Sequence, residues 1–226
     1  MAINISISVH PKTYLRDPKE TSLGKRIIKH SIDMLSEVGF HCFNFKLLAK
    51  YMSSTEASIY RYFENKHMLL VYLCAWYWDY LNYLIEIDTR NVADPKQKLE
   101  IAIRTIVNGS TAQSPTDFID QSKLHAVIVE HFFKAMFHKT ISAEDKENLF
   151  ANYRNLNANI TSIVRDYNPD FKYPSSMAST IVKMSIDHSY YADQICSLTE
   201  ITNCIDTKKD QMEEMINYFV WKLLAK

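Results

Sequence analysis

Asn44-Phe-Lys-Leu-Leu-Ala-Lys-Tyr-Met-Ser-Ser-Thr-Glu-Ala-Ser-Ile-Tyr-Arg-Tyr-Phe-Glu-Asn-Lys66 decides how the chain is read. Asn44 is placed to cap a short helix whose apolar face is Leu47, Leu48 and Tyr51. Met52 to Ser54 is a break of small, turn-prone residues, and Thr55 can cap a second helix. In that second helix Ala57 and Ser58 are small enough to let the backbone approach base edges, while Ile59 and Phe63, four apart, anchor the opposite side. Tyr60, Arg61, Tyr62 and Lys66 follow with hydroxyl and cationic donors, where phosphates would lie. Two helices around a tight turn, with a basic and aromatic end, are the parts of a DNA-reading helix-turn-helix.

Ser54, Thr55, Glu56 and Ser58 are therefore the candidates for base edges, and Lys66, Lys25 and Lys46 for the phosphate backbone. Tyr60 and Tyr62 are candidates for phosphate hydrogen bonds, with packing as the alternative reading for both.

The segment from residue 22 to 70 resembles the TetR family of bacterial repressors. The likeness is sharpest in Ile59-Tyr60-Arg61-Tyr62-Phe63-Glu64-Asn65-Lys66-His67-Met68-Leu69-Leu70, which is similar to the family's aliphatic-Tyr-x-x-Phe-x-x-Lys-x-x-Leu-Leu pattern. Upstream, Ile28 to Gly39 followed by Phe40 resembles the family's first helix and its glycine stop. Two positions depart from the pattern. Ser53 stands where the family usually has glycine, so the turn must be made without the residue that best tolerates positive φ. Glu56 is early in the presumed reading helix, where a carboxylate repels phosphate but can accept from a cytosine amino group.

Composition agrees with a helical fold. Three glycines and six prolines in 226 residues are too few for the turns of an all-β or α/β chain. Net charge is zero, which argues against a protein that coats nucleic acid, but the charge is unevenly spread. Residues 1–66 hold ten Lys or Arg against six Asp or Glu, a net of +4; the rest hold 16 against 20, a net of −4. A basic head on an acidic body suits a site-specific DNA binder with a phosphate term in its affinity.

Cys42, Cys74, Cys196 and Cys204 have no Cys-x-x-Cys spacing and read as buried thiols of a reducing, cytoplasmic compartment. No stretch approaches a membrane span.

The expected organisation is an arm over 1–20, a helix-turn-helix domain over 21–67 and a helical body over 68–226. The arm alternates at Ile3, Ile5, Ile7 and Val9 and reads as disordered, or as a strand pairing with a partner chain. A first helix starts at Thr21 or Ser22, and Asn65 caps a long fourth one reaching about Ile87. Five more helices follow, near 96–110, 121–138, 143–167, 175–196 and 206–224.

The last two helices suggest a dimer contact. Ser185, Ser189 and Ala192 make a small-residue face, and Met212, Met215, Ile216, Phe219 and Leu223 a broad apolar stripe. Half-sites related by a dyad require a dimer, and the corresponding helices make that contact in the family the chain resembles. In the body Trp76, Tyr77, Tyr80 and Tyr83 with His125 and Phe132 could wall a site for an apolar or aromatic effector, the alternative being ordinary packing.

His131 and His138, seven apart on one face, lack a matched carboxylate or cysteine, so no metal is expected, and no cofactor. No glycine-rich phosphate loop, nucleophile elbow or Glu-x-x-His pair is present, and nothing supports catalysis. The reading is an all-α homodimeric repressor of a palindromic operator, released by a small-molecule effector. The rival is a helical ligand carrier or enzyme whose head only resembles a helix-turn-helix; it would show no salt-sensitive DNA binding.

Overall fold

The structure is a computed structural model, and it describes residues 7–112, 114–136, 148–204 and 206–225. Among these, all regular structure is helical, as the scarcity of glycine and proline requires. The helices are α1 (Ser22–Cys42), α2 (Phe45–Tyr51), α3 (Glu56–Tyr60), α4 (Lys66–Thr89), α5 (Pro95–Val107), α6 (Gln121–Met136), α7 (Ala151–Tyr167), α8 (Pro174–Gln194) and α9 (Lys208–Leu224). No described helix is long and apolar enough to cross a membrane.

The starts are set by side chains. Thr21 accepts from the Gly24 amide at 2.9 Å, Asn44 from Leu47 at 2.9 Å, Asn65 from Met68 at 3.0 Å and Asp94 from Lys96 at 3.1 Å. Each satisfies one of the orphan donors of a first helical turn.

The chain divides into two compact units, cut elsewhere than at the expected 67/68 boundary. The first takes Met1–Asp79 and Ser110–Tyr153, and the second Tyr80–Gly109 and Arg154–Lys226. In the first unit α4 is buried without interruption from Leu69 to Trp78. A helix apolar on every side belongs inside its unit, not on its surface.

In this unit α6 packs along α1, and the two are joined by Lys123 Nζ donating to Asp33 Oδ1 at 2.6 Å. The arm is neither disordered nor an exposed strand from residue 7 onward; Ile3 and Ile5 lie outside the described residues. Ile7 and Val9 are buried, and the Ser8 amide donates to Asp79 Oδ2 at 2.9 Å. Asn152 Nδ2 donates both to Ser8 O at 2.7 Å and to Asp79 Oδ1 at 2.8 Å. Where the arm crosses α1 it needs glycine: a β-carbon on Gly24 would sit 2.3 Å from the Pro18 carbonyl oxygen. The arm is thus a strap.

In the second unit α5, α8 and α9 pack together. Met212, Ile216, Val220 and Leu224, at strict four-residue steps, form the buried edge of α9. On α8 the buried residues include Met177, Ile181, Ser185 and Ala192.

The thiols differ from expectation. Cys74 is buried, and burial pushes its thiol well above the ordinary range, but Cys42, Cys196 and Cys204 are exposed.

Candidate nucleic-acid interface

The turn between α2 and α3 is closed by two backbone bonds, Ser54 N to Ala49 O at 2.8 Å and Ser53 N to Lys50 O at 3.2 Å. This nested pair is a Schellman closure, and its pivot takes positive φ. The pivot is Ser53, at φ 53°, the position where the sequence departs from the expected glycine. Arg26 holds the same turn from α1, donating to Met52 O at 2.7 Å. The inner face of α2 is Phe45, Leu48 and Ala49; Leu47 and Tyr51, expected inside, are exposed. Tyr51 instead meets the His30 ring edge-on at 5.3 Å.

α3 is five residues long and held by its ends. Ile59 and Phe63 are fully buried beneath it. Thr55 caps it, accepting from the Ser58 amide at 3.3 Å, and the Thr55 and Ser58 hydroxyls share a hydrogen bond of 2.8 Å. The outer face carries Thr55, Glu56, Ala57, Tyr60 and Arg61, all exposed, with Ser54 and Ser58 half-buried beside them. Tyr60 rests edge-on against Phe45 at 5.0 Å while about half of its surface stays open. Lys46 is exposed on α2, and Lys25 is exposed on α1 with its ammonium 5.7 Å from the Phe118 ring. Ten of the eleven expected residues are therefore exposed or half-buried, and Tyr62 alone is buried.

Tyr62 and Lys66 instead spend their polar ends on the protein itself. Tyr62 is buried, its hydroxyl paired with Thr21 Oγ1 at 2.7 Å, which removes it from the surface. The Lys66 ammonium turns back onto the end of α1, donating to Phe40 O at 2.9 Å, His41 O at 3.3 Å and Phe43 O at 2.8 Å, over the Phe40 ring at 4.7 Å. It has three N–H groups and three carbonyl partners. α1 is bent there by Gly39, at φ 68°, so its last carbonyls are exposed to a cation, the favourable charge at a helix C-terminus.

His131 grips the same corner. It is fully buried on α6, and its Nε2 accepts from the Phe40 amide at 3.1 Å. An accepting Nε2 carries no proton. Burial pushes its pKa below the ordinary value, with Lys134 adding and Glu130 opposing. His131 thus has a backbone partner at Nε2, and His138 lies outside the described residues.

Sequence comparison finds no matching family model and no similar curated protein. Comparison of structures does find similar folds. A bacterial regulatory protein of the TetR family from Rhodococcus RHA1 superposes with a TM-score of 0.63 at 13% identity, over 90% of this chain and 96% of that one. The fold is that of the TetR family. AibR, in complex with isovaleryl coenzyme A and operator DNA, shares this TetR fold at a TM-score of 0.59 and 14% identity, over 86% and 97% of the two chains. So does the superantigen PfiT, at 0.60 and 14%, over 90% and 97%.

Two further sets of expected residues are split by the TetR fold as this chain builds it. In the first unit Tyr77 and His125 share a 2.6 Å hydrogen bond, and Tyr77 meets Trp78 edge-on at 4.9 Å. Trp78 in turn packs on Phe132 at 5.2 Å and Tyr153 at 5.3 Å. Trp76 is buried in the same unit, whereas Tyr80 and Tyr83 belong to the second. Trp78 is off the helical spacing that joins Trp76, Tyr80 and Tyr83, and Tyr153 lies on another helix, α7, so sequence spacing pointed to neither.

Of the expected dimer residues, Ser185, Ala192, Met212 and Ile216 are buried in their own unit, so they serve its core instead. Ser189 and Met215 are half-buried. Phe219 and Leu223 are 45% and 62% exposed beside Tyr218 at 61%, an open apolar strip on α9.

Proposed function

We propose that the protein is a sequence-specific DNA-binding transcriptional regulator, a repressor that acts as a homodimer on a palindromic operator. PfiT shares the fold, so the fold alone does not carry this reading. It is carried by α3: a short helix anchored by Ile59 and Phe63, presenting small and polar residues outward with Arg61 at its end. A helix so anchored, with Ala57 and Ser58 small on its outer side, fits a major groove about 12 Å wide.

The strip of Phe219, Leu223 and Tyr218 is the surface proposed to meet a second copy. The cluster of Tyr77, Trp78, His125 and Phe132 is the region proposed to sense an apolar or aromatic effector. AibR, with both a coenzyme A thioester and operator DNA bound, supports the pairing of the two activities on one such fold. An effector acts here only through different affinity for two states of the protein.

Selection of bound fragments from the host's DNA tests the reading. Recovery of a palindrome whose binding weakens steeply with salt is the expected result. Absence of any salt-sensitive DNA binding by the folded chain would sink it in favour of a helical ligand carrier or enzyme.

A further inference from the structure

The strap ends beside α3. Within it Thr13 is fully buried and its Oγ1 donates to His10 O at 2.8 Å, while Asp17 caps the turn that follows by accepting from the Lys19 amide at 2.9 Å. Between these two fixed points the Leu15 amide donates to the Tyr62 carbonyl at 2.8 Å. Tyr62 lies two residues beyond the last residue of α3, so this one bond ties the strap to the end of the helix that faces DNA. The next residue, Arg16, is exposed, with its guanidinium 5.6 Å from the centre of the Tyr62 ring.

The guanidinium is already ordered by the ring face, and among the described residues it has no carboxylate partner. Asp17, its neighbour, is engaged by the Lys19 amide at 2.9 Å and the Lys19 ammonium at 3.9 Å. At a rise of about 1.5 Å per residue, the stretch from Thr55 to Arg61 spans roughly 9 Å, close to the groove's own width of about 12 Å. The end of such a helix reaches the groove wall, where phosphates run. Both Arg16, over the Tyr62 ring, and Arg61, next to Tyr62 in the chain, are exposed at that end.

We propose that Arg16 binds a DNA phosphate, and that the strap is a second element of the DNA-binding surface, held in register with α3 through Leu15 and Tyr62. This rests on the DNA-binding reading above. Arginine suits the place because its planar fork can keep the stacked face on Tyr62 and still present two N–H groups to one phosphate.

The test uses the full chain and the palindromic duplex recovered by selection, with affinity measured across a series of potassium chloride concentrations. Arg16→Gln should lower the slope of log affinity against log salt by about 0.9 for each phosphate no longer neutralised, so by about 1.8 for two heads. Freeing one phosphate in this way corresponds to roughly eightfold weaker binding at about 0.1 M salt, and the weakening should be equal on operator and unrelated duplex. Arg16→Lys, which keeps the charge, should recover most of the slope. Wild-type affinity and slope in Arg16→Gln would overturn the inference, and so would an altered base preference with the slope unchanged. A wild-type chain that binds no DNA with salt dependence would instead remove the reading on which it rests.

Discussion

Ser53 holds a left-handed backbone conformation that costs a residue with a β-carbon about 1–2 kcal/mol. Glycine there would remove that strain but lose more chain entropy on folding, a partial offset of about 0.4–1 kcal/mol. Ser53→Gly should therefore stabilise the protein by roughly 0.5–1 kcal/mol, read from the denaturant midpoint, with operator affinity unchanged; a lower midpoint would mean that the Ser53 side chain matters to the turn. Lys66 is the opposite case, a residue whose partners hold the head together. Lys66→Ala should destabilise by about 2 kcal/mol, because the carbonyls of Phe40 and Phe43 lose a charged donor. The salt slope of DNA binding should stay as in the wild type. A fall of about 1.8 in that slope, about 0.9 for each head, with stability intact would return Lys66 to the phosphate backbone. Sequence spacing identified both positions as special but not their partners. Lys66 belongs to a matched motif and Tyr62 to one of its unspecified positions, and a motif specifies a fold position, not whether a side chain faces out or in.

At the level of elements, the corner where α1 bends past Gly39 is held from two directions, by Lys66 at its carbonyls and by His131 at the Phe40 amide. His131 can accept only when its Nε2 is unprotonated, and burial lowers its pKa relative to the unfolded chain. The unfolded state then binds more protons as pH falls below about 6.5, so stability is full above that value and is lost as pH drops toward the folded-state pKa. His30, also lowered first by burial, contributes with the same sign. The unfolding free energy from denaturant titration should fall between neutral and mildly acidic pH, by at most about 1.4 kcal/mol per pH unit per histidine. His131→Gln, which keeps an acceptor, should flatten that fall; an unchanged profile would assign the pH dependence elsewhere. The starts of the helices were legible because capping is local chemistry: Thr21, Asn44, Thr55 and Asn65 all act as caps. Which side of a helix is inward was less legible. The broad stripe of α9 contains two edges one residue apart, Met212, Ile216, Val220 and Leu224 within and Phe219 and Leu223 without, with Met215 half-buried, and periodicity joins them. The same ambiguity put Leu47 and Tyr51 inside α2.

For the whole molecule, the two edges of α9 predict different failures. Ile216→Glu would bury an unpaired carboxylate in the subunit's own core, costing several kcal/mol, a large share of a domain's stability, and should unfold the second unit. Phe219→Glu should instead leave native helix content and give monomers in sedimentation, with operator affinity lowered because one head cannot span two half-sites. A folded Phe219→Glu dimer would place the contact elsewhere. The arm was the least legible region, since its alternating Ile7 and Val9 have no partner until residues far along the chain are in place. Ser8 is tied to Asp79 and to Asn152, and the latter is 144 positions away. The first unit is likewise assembled from two stretches separated by 80–109. During synthesis, a ribosome that has released the helix-turn-helix has not yet made the asparagine that fastens the strap. The strap is thus fully fastened only after about two thirds of the chain has emerged, and a truncated product ending before Asn152 would carry a head whose strap is missing one of its fastenings.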